Sequence, residues 1–126
     1  MDYSHTILAV DDSATNILLL KGILEEAGYM PLTANSVSKA FEILEKNKVD
    51  LILLDLMMPK VSGFGFLKKI VTIDNLKDIP VIIISAKTDL KDMEKAKELG
   101  AVDYFVKPLD IKKLKEKLHS FFSNNS

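Results

Sequence analysis

A doubly wound α/β fold, five parallel strands each followed by a helix, is what this sequence predicts. Short apolar runs alternate with longer stretches of helical period along the chain, which is the (βα)5 pattern of a parallel sheet covered on both faces. Three of the runs are continuously apolar, as strands buried on both faces are. The second run contains a proline, which places that strand at an edge and agrees with the order 2-1-3-4-5.

The first run, Thr6-Ile7-Leu8-Ala9-Val10, stays apolar to its end and reads as a central strand. Ile17, Leu20, Leu24 and Ala27 then line one helix face, and the helix stops at Gly28, a residue suited to a helix end. Residues 31–34 form the second run, where Pro31 cannot donate to a ladder. Ser36 is placed to cap a helix carrying Val37, Ala40, Phe41 and Leu44. Leu51-Ile52-Leu53-Leu54 is the third strand, and Phe66, Leu67 and Ile70 mark the helix after it. Val81-Ile82-Ile83-Ile84 is the fourth; its helix carries Leu90, Met93 and Ala96 and stops at Leu99-Gly100. Residues 101–106 give the fifth strand, and Asp110 opens a last helix with Ile111, Leu114, Leu118 and Phe121. Ser123-Asn124-Asn125-Ser126 reads as a frayed tail or linker stub, so a single domain over 1–126 has its core at about 6–122.

Bulk composition narrows the function classes. A length of 126 residues suits one domain. The net charge of −1 gives no reason to expect nucleic acid. No cysteine is present, which excludes disulfides, thiolate metal sites and a cysteine nucleophile. The first residues lack a signal pattern, and no apolar stretch approaches the roughly 20 residues of a membrane span. The expectation is a cytoplasmic protein without membrane contact.

Polar residues stand where the apolar runs end. Asp11 and Asp12 follow the first strand, Asp55 the third, and Lys107 the fifth, while Ser85 ends the fourth. Ligands of such sheets bind outside the carboxyl ends of the strands, at the switch between strands one and three. Converging carboxylates repel one another, and a divalent cation relieves that repulsion. Oxygen-only ligands suit Mg²⁺, with Asp12 and Asp55 as direct ligands, Asp11 acting through water or as an outer acid, and the backbone carbonyl of Met57 completing the set. Lys107 is placed to pair with Asp55 and to neutralise an arriving anion. Pro108 fixes the turn that aims it, and an X-Pro bond there is a candidate for the cis form. The Ser85 hydroxyl can donate to a phosphoryl oxygen. A carboxylate, a divalent cation, an ammonium and a hydroxyl are the equipment of in-line phosphoryl transfer. The expected product is an aspartyl phosphate on Asp55.

The same residues carry a resemblance. Ile7-Leu8-Ala9-Val10-Asp11-Asp12-Ser13, Leu53-Leu54-Asp55-Leu56-Met57-Met58-Pro59, Val61-Ser62-Gly63-Phe64, Ile84-Ser85-Ala86 and Tyr104-Phe105-Val106-Lys107-Pro108 occur in order with fitting spacing. Over about 6–122 the chain resembles the receiver domains of two-component response regulators, chemotaxis-regulator-like proteins of flavodoxin-like fold. The resemblance implies that a sensor histidine kinase or histidine phosphotransfer protein phosphorylates Asp55. It implies Mg²⁺ at Asp11, Asp12, Asp55 and the Met57 carbonyl, with Lys107 and Ser85 on the phosphoryl group. It also implies a switch, in which Ser85 moves inward, Tyr104 follows, and the surface of the fourth helix, fifth strand and fifth helix changes for a downstream protein or fused output domain. The protein is then a monomer or a phosphorylation-dependent dimer, and a switch rather than a turnover enzyme. Serine at position 85 is a variant within the family, where threonine is also usual.

Competing readings turn on particular residues. A haloacid-dehalogenase phosphatase needs a second acid two residues after its nucleophile, and Met57 stands there. A flavodoxin-like cofactor binder needs a phosphate loop after strand one, where Asp11 and Asp12 would repel the ligand. A degenerate receiver acting as a phosphorylation-independent interaction module is the remaining alternative; its mark would be a lost acid or lysine. Gly63 is expected to serve the turn into the third helix without contributing chemistry, and Met57, Met58 and Met93 to be packing and loop residues. Ser13 or Thr15 is expected to cap the first helix, and Thr88 or Asp89 the fourth. His5 and His119 read as surface residues, and Lys87, Lys91 and Lys95 as a solvated helix face.

Overall fold

The computed structural model describes residues 5–58, 63–86 and 88–124. The first four residues, Pro59, Val61 and Ser62 of the motifs, Lys87, and the tail residues Asn125 and Ser126 lie outside the described residues. Strands and helices alternate as β1 (Thr6–Val10), α1 (Ala14–Glu26), β2 (Met30–Ala34), α2 (Val37–Lys46), β3 (Leu51–Leu54), α3 (Gly63–Ile70), β4 (Val81–Ser85), α4 (Leu90–Glu98), β5 (Asp103–Val106) and α5 (Ile111–Asn124).

The strands form one parallel sheet in the order β2-β1-β3-β4-β5, as the sequence predicts. β1, β3 and β4 hold the centre, and their continuously apolar side chains are divided between two cores. Leu8, Val10, Ile52, Leu54 and Ile83 pack under α2, α3 and α4 with Ala40, Leu44, Phe66 and Ala96. Ile7, Ala9, Leu51, Leu53 and Ile82 pack under α1 and α5 with Leu24, Leu114 and Leu118. Each strand must be apolar at every position because its side chains alternate between the two cores.

Local signals place the element ends. The Ser13 and Ser36 hydroxyls accept the backbone N–H of Asn16 and Lys39, and Asp89 accepts that of Lys91, capping α1, α2 and α4. Gly28 and Gly100, at φ 92° and 105°, turn the chain just past α1 and α4, a conformation that costs other residues more. Asp110 accepts the N–H of Lys113 at the start of α5.

Two expectations change at the end of the sheet remote from the acids. Ser123 and Asn124 continue α5 instead of fraying, and His5 is half-buried rather than on the surface. The two differences share a cause: the His5 ring stacks on Phe122 at 3.9 Å and 14°, with Tyr29 5.4 Å from the Phe122 ring. The last turn of α5 is thereby fixed to the entry of β1. His119 is exposed, as expected. Among the described residues, no helix is long and apolar enough to cross a membrane.

Candidate functional site at the carboxyl ends of the strands

Asp11, Asp55 and Lys107 each stand one residue past a strand, and each is fixed by its own backbone. The Asp11 N–H donates to the Ala34 carbonyl at 3.1 Å, that of Asp55 to Val10 at 3.0 Å, and that of Lys107 to Ser85 at 2.8 Å. The ladder therefore continues one step beyond each strand and delivers a charged side chain from a rigid support. Burial follows from that placement: Asp11 is 2% exposed, Asp55 5% and Ser85 0%, among the most enclosed polar side chains described.

One carboxylate oxygen from each of Asp11, Asp12 and Asp55 lies within 4.8 Å of the others. The three acids are not equivalent. Asp11 Oδ1 accepts the Ser13 N–H at 2.9 Å, and its Oδ2 accepts from Lys107 Nζ at 3.1 Å. Asp55 Oδ1 accepts the Met57 N–H at 3.0 Å, and its Oδ2 lies 3.6 Å from Lys107 Nζ. Asp12 is exposed. The sequence pairs Lys107 with Asp55; the ammonium in fact lies between two carboxylates and is nearer Asp11, the more enclosed of them.

Asp55 has its carboxyl pushed above the usual carboxylate range. Burial is the largest cause; the neighbouring charges of Asp11 and Asp12 add to it, while the Met57 N–H and Lys107 oppose it. A group in this position gains from added positive charge. The donors are all oxygen, one from each of Asp11, Asp12 and Asp55, a set with the capacity to hold a hard divalent cation. The residues fit such an ion.

The remaining predicted residues lie around this cluster. Ser85 ends β4 opposite Val106, with its carbonyl bound to Lys107. Tyr104 is half-buried in β5 opposite Ile83 and packs against the core under α2, α3 and α4. Met57 is exposed beside Asp55. The Lys107–Pro108 peptide bond is cis. A cavity of about 300 Å³ lined by Asp11, Asn16, Leu19, Lys107, Pro108 and Leu109 adjoins the ammonium. A larger one of about 650 Å³, lined by Val37, Phe41, Phe66, Lys69 and Ile73, lies between α2 and α3 with no acid of the cluster in its lining.

Two contributions were not visible in the sequence. Gly63 does more than turn the chain: a Cβ there would lie 2.7 Å from the Asp55 carbonyl oxygen and 2.7 Å from Leu56 Cα. Its missing side chain lets α3 close onto the backbone that carries Asp55. Lys95, read as part of a solvated face, places its ammonium 4.5 Å from the centre of the Phe64 ring, joining α4 to the start of α3.

Known proteins resemble the chain over nearly all of its length. Residues 7–119 match the family described as the response regulator receiver domain. Sporulation initiation phosphotransferase F of Bacillus subtilis is 35% identical over 118 residues, covering 94% of either chain. A probable cyclic di-GMP phosphodiesterase of Vibrio cholerae is 40% identical over 119 residues, which are 94% of this chain and 27% of that protein. The chain spans only 18–46% of the length of several curated relatives. Among solved structures, a response regulator receiver protein of Pseudomonas putida superposes with a TM-score of 0.88 at 28% identity, covering 95% of this chain and 99% of that one. The chemotaxis protein CheY4 of Vibrio cholerae gives 0.86 at 29% identity, covering 92% and 97%.

Proposed function

The chain belongs to the response regulator receiver domain family of two-component signalling, and from that premise we propose that it is a phosphoacceptor switch with Asp55 as the acceptor. The observation that carries the reading is the convergence of Asp11, Asp12 and Asp55 within 4.8 Å, with Lys107 Nζ at 3.1 Å from Asp11 and 3.6 Å from Asp55. A degenerate receiver would lack an acid or the lysine; here all are present and face one another. A full-length relative named for phosphotransfer supports the same reading.

In this reading a histidine kinase or histidine phosphotransfer protein presents a phosphohistidine to the cluster. An Asp55 carboxylate oxygen forms the new O–P bond as the N–P bond breaks, and the electron pair of that bond returns to the imidazole. Lys107 balances the charge of the incoming group, held for that purpose by Asp11, and the Ser85 hydroxyl donates to a phosphoryl oxygen. Asp12, Asp55 and the Met57 carbonyl would hold Mg²⁺, which when bound neutralises phosphoryl charge and supports the in-line geometry. Ser85 and Tyr104 then bias the surface of α4, β5 and α5 between two states that a downstream protein or fused output domain reads. The product is a conformation, so the domain is a switch rather than a turnover enzyme. It works in the cytoplasm, without binding nucleic acid itself, as a monomer or a phosphorylation-dependent dimer.

Incubation with acetyl phosphate and Mg²⁺ is expected to add one phosphoryl group to the intact chain and none to Asp55→Asn. Excess EDTA is expected to abolish the labelling. Modification retained in Asp55→Asn would overturn the acceptor, and undiminished labelling in EDTA would remove the acids from a metal site.

A further inference from the structure

An exposed sheet edge is a template for another strand, and folded proteins blunt it. The two edges of this sheet are β2 and β5. At β2 the device is Pro31. The Met30 N–H donates inward to the His5 carbonyl at 2.9 Å, so ladder alternation turns position 31 to the open side, where proline offers no donor. β5 has no proline within it, and Tyr104-Phe105-Val106 is an uncharged run of strong strand formers. The Lys107 N–H donates to Ser85 of β4 at 2.8 Å, so the same alternation turns the Tyr104 N–H to the open edge.

That outward N–H is covered by a side chain. It donates to Asp103 Oδ1 at 2.7 Å. Asp103 Oδ2 lies 3.3 Å from Lys117 Nζ on α5, so the helix holds the carboxylate in place. One acid thus has one oxygen on the edge donor and the other on an anchoring cation.

We propose that Asp103 is an edge guard, which by capping the Tyr104 N–H keeps β5 from pairing with β5 of a second copy of this chain. A second copy is the fitting occupant because the same uncharged run meets itself across a two-fold axis, each strand offering what the other accepts. Cavities of about 330 and 320 Å³, both lined by Tyr104, flank the strand and can receive the facing side chains. The inference depends on the fold and not on phosphorylation of Asp55.

Sedimentation equilibrium of the full chain tests it. The native chain and Asp103→Asn, which keeps the acceptor oxygen while losing the charge, are expected to stay monomeric. Asp103→Ala is expected to self-associate at least about tenfold more tightly, equivalent to about 1.4 kcal/mol, with a native far-ultraviolet circular dichroism spectrum. If Asp103→Ala stays monomeric while folded, or if the Asn and Ala variants associate equally, the guard is refuted. Should the alanine variant not fold, hydrogen exchange of the native chain decides: the Tyr104 amide is expected to be protected, and exchange at the unstructured rate overturns the proposal.

Discussion

Gly63 offers the sharpest test of how the fold supports the site. An alanine Cβ at this position would lie 2.7 Å from the Asp55 carbonyl oxygen, 2.7 Å from Leu56 Cα and 3.0 Å from Leu56 Cδ2. Ordinary contact begins near 3.4 Å, so α3 and the Asp55–Leu56 backbone must separate by about 0.7 Å. Both of the closest atoms are backbone, and a side-chain rotation cannot relieve them. Overpacking of this kind costs about 1–3 kcal/mol, against which alanine gains at most about 1 kcal/mol in helix propensity. With the full propensity gain, the net expectation for Gly63→Ala is a loss of up to about 2 kcal/mol, read as a lower urea midpoint with an unchanged slope. The displaced atoms carry the proposed acceptor, so acetyl phosphate labelling of Asp55 should slow by about 10- to 100-fold. Gly22→Ala is the matched control, because its Cβ would meet nothing within 4 Å; that change should stabilise α1 by about 0.5–1 kcal/mol and leave labelling alone. Native stability and native labelling in Gly63→Ala would refute the argument that the glycine holds the acceptor loop.

Two further outcomes follow from the charges. Lys107→Met leaves the enclosed Asp11 and Asp55 without their shared cation, so metal-free protein should lose about 1–3 kcal/mol in urea unfolding, most of it recovered in saturating Mg²⁺; an unchanged midpoint without metal would show that the ammonium is not holding the acids. Asp55 has a folded pKa above its ordinary value of 3.8, so the folded state binds more protons there than the unfolded chain, and stability in EDTA should fall as pH rises through that window. Asp55→Asn should flatten that fall and be the more stable protein at neutral pH, which parallel denaturation curves of the two chains would confirm or refute.

The fold was largely legible because its signal is local. β1, β3 and β4 are covered on both faces, and that requirement writes itself into the sequence as unbroken apolar runs. Pro31 identified an edge because a missing N–H is tolerated only there. The acids and the lysine stood out for the converse reason: a charge next to such a run has no role in the core. What the sequence did not reveal depends on distance in space. Lys107 and Asp11 are separated by 96 positions, and no periodicity reports that the ammonium lies nearer Asp11 than Asp55. The stacking of His5 on Phe122 joins residues from opposite ends of the chain, so an isolated histidine before a strand looked exposed. Gly63 looked like an ordinary turn glycine because the atoms it makes room for are backbone, which carries no residue identity.

The unequal satisfaction of the three carboxylates gives the site a direction. Asp11 has a backbone donor on one oxygen and an ammonium on the other, so its charge is compensated where it is buried. Asp12 is exposed, where solvent screens a charge. Asp55 combines near-complete burial with one backbone donor and a longer approach to Lys107, and burial raises its pKa. Local rules of polar satisfaction are broken most often where a protein does its work. A phosphoryl group on Asp55 would add charge where compensation is already weakest. Lys107 follows β5, and its backbone N–H is bonded to Ser85 at the end of β4. In the proposed switch, a demand for positive charge at Asp55 would be met by Lys107, which follows the strand that also carries Tyr104.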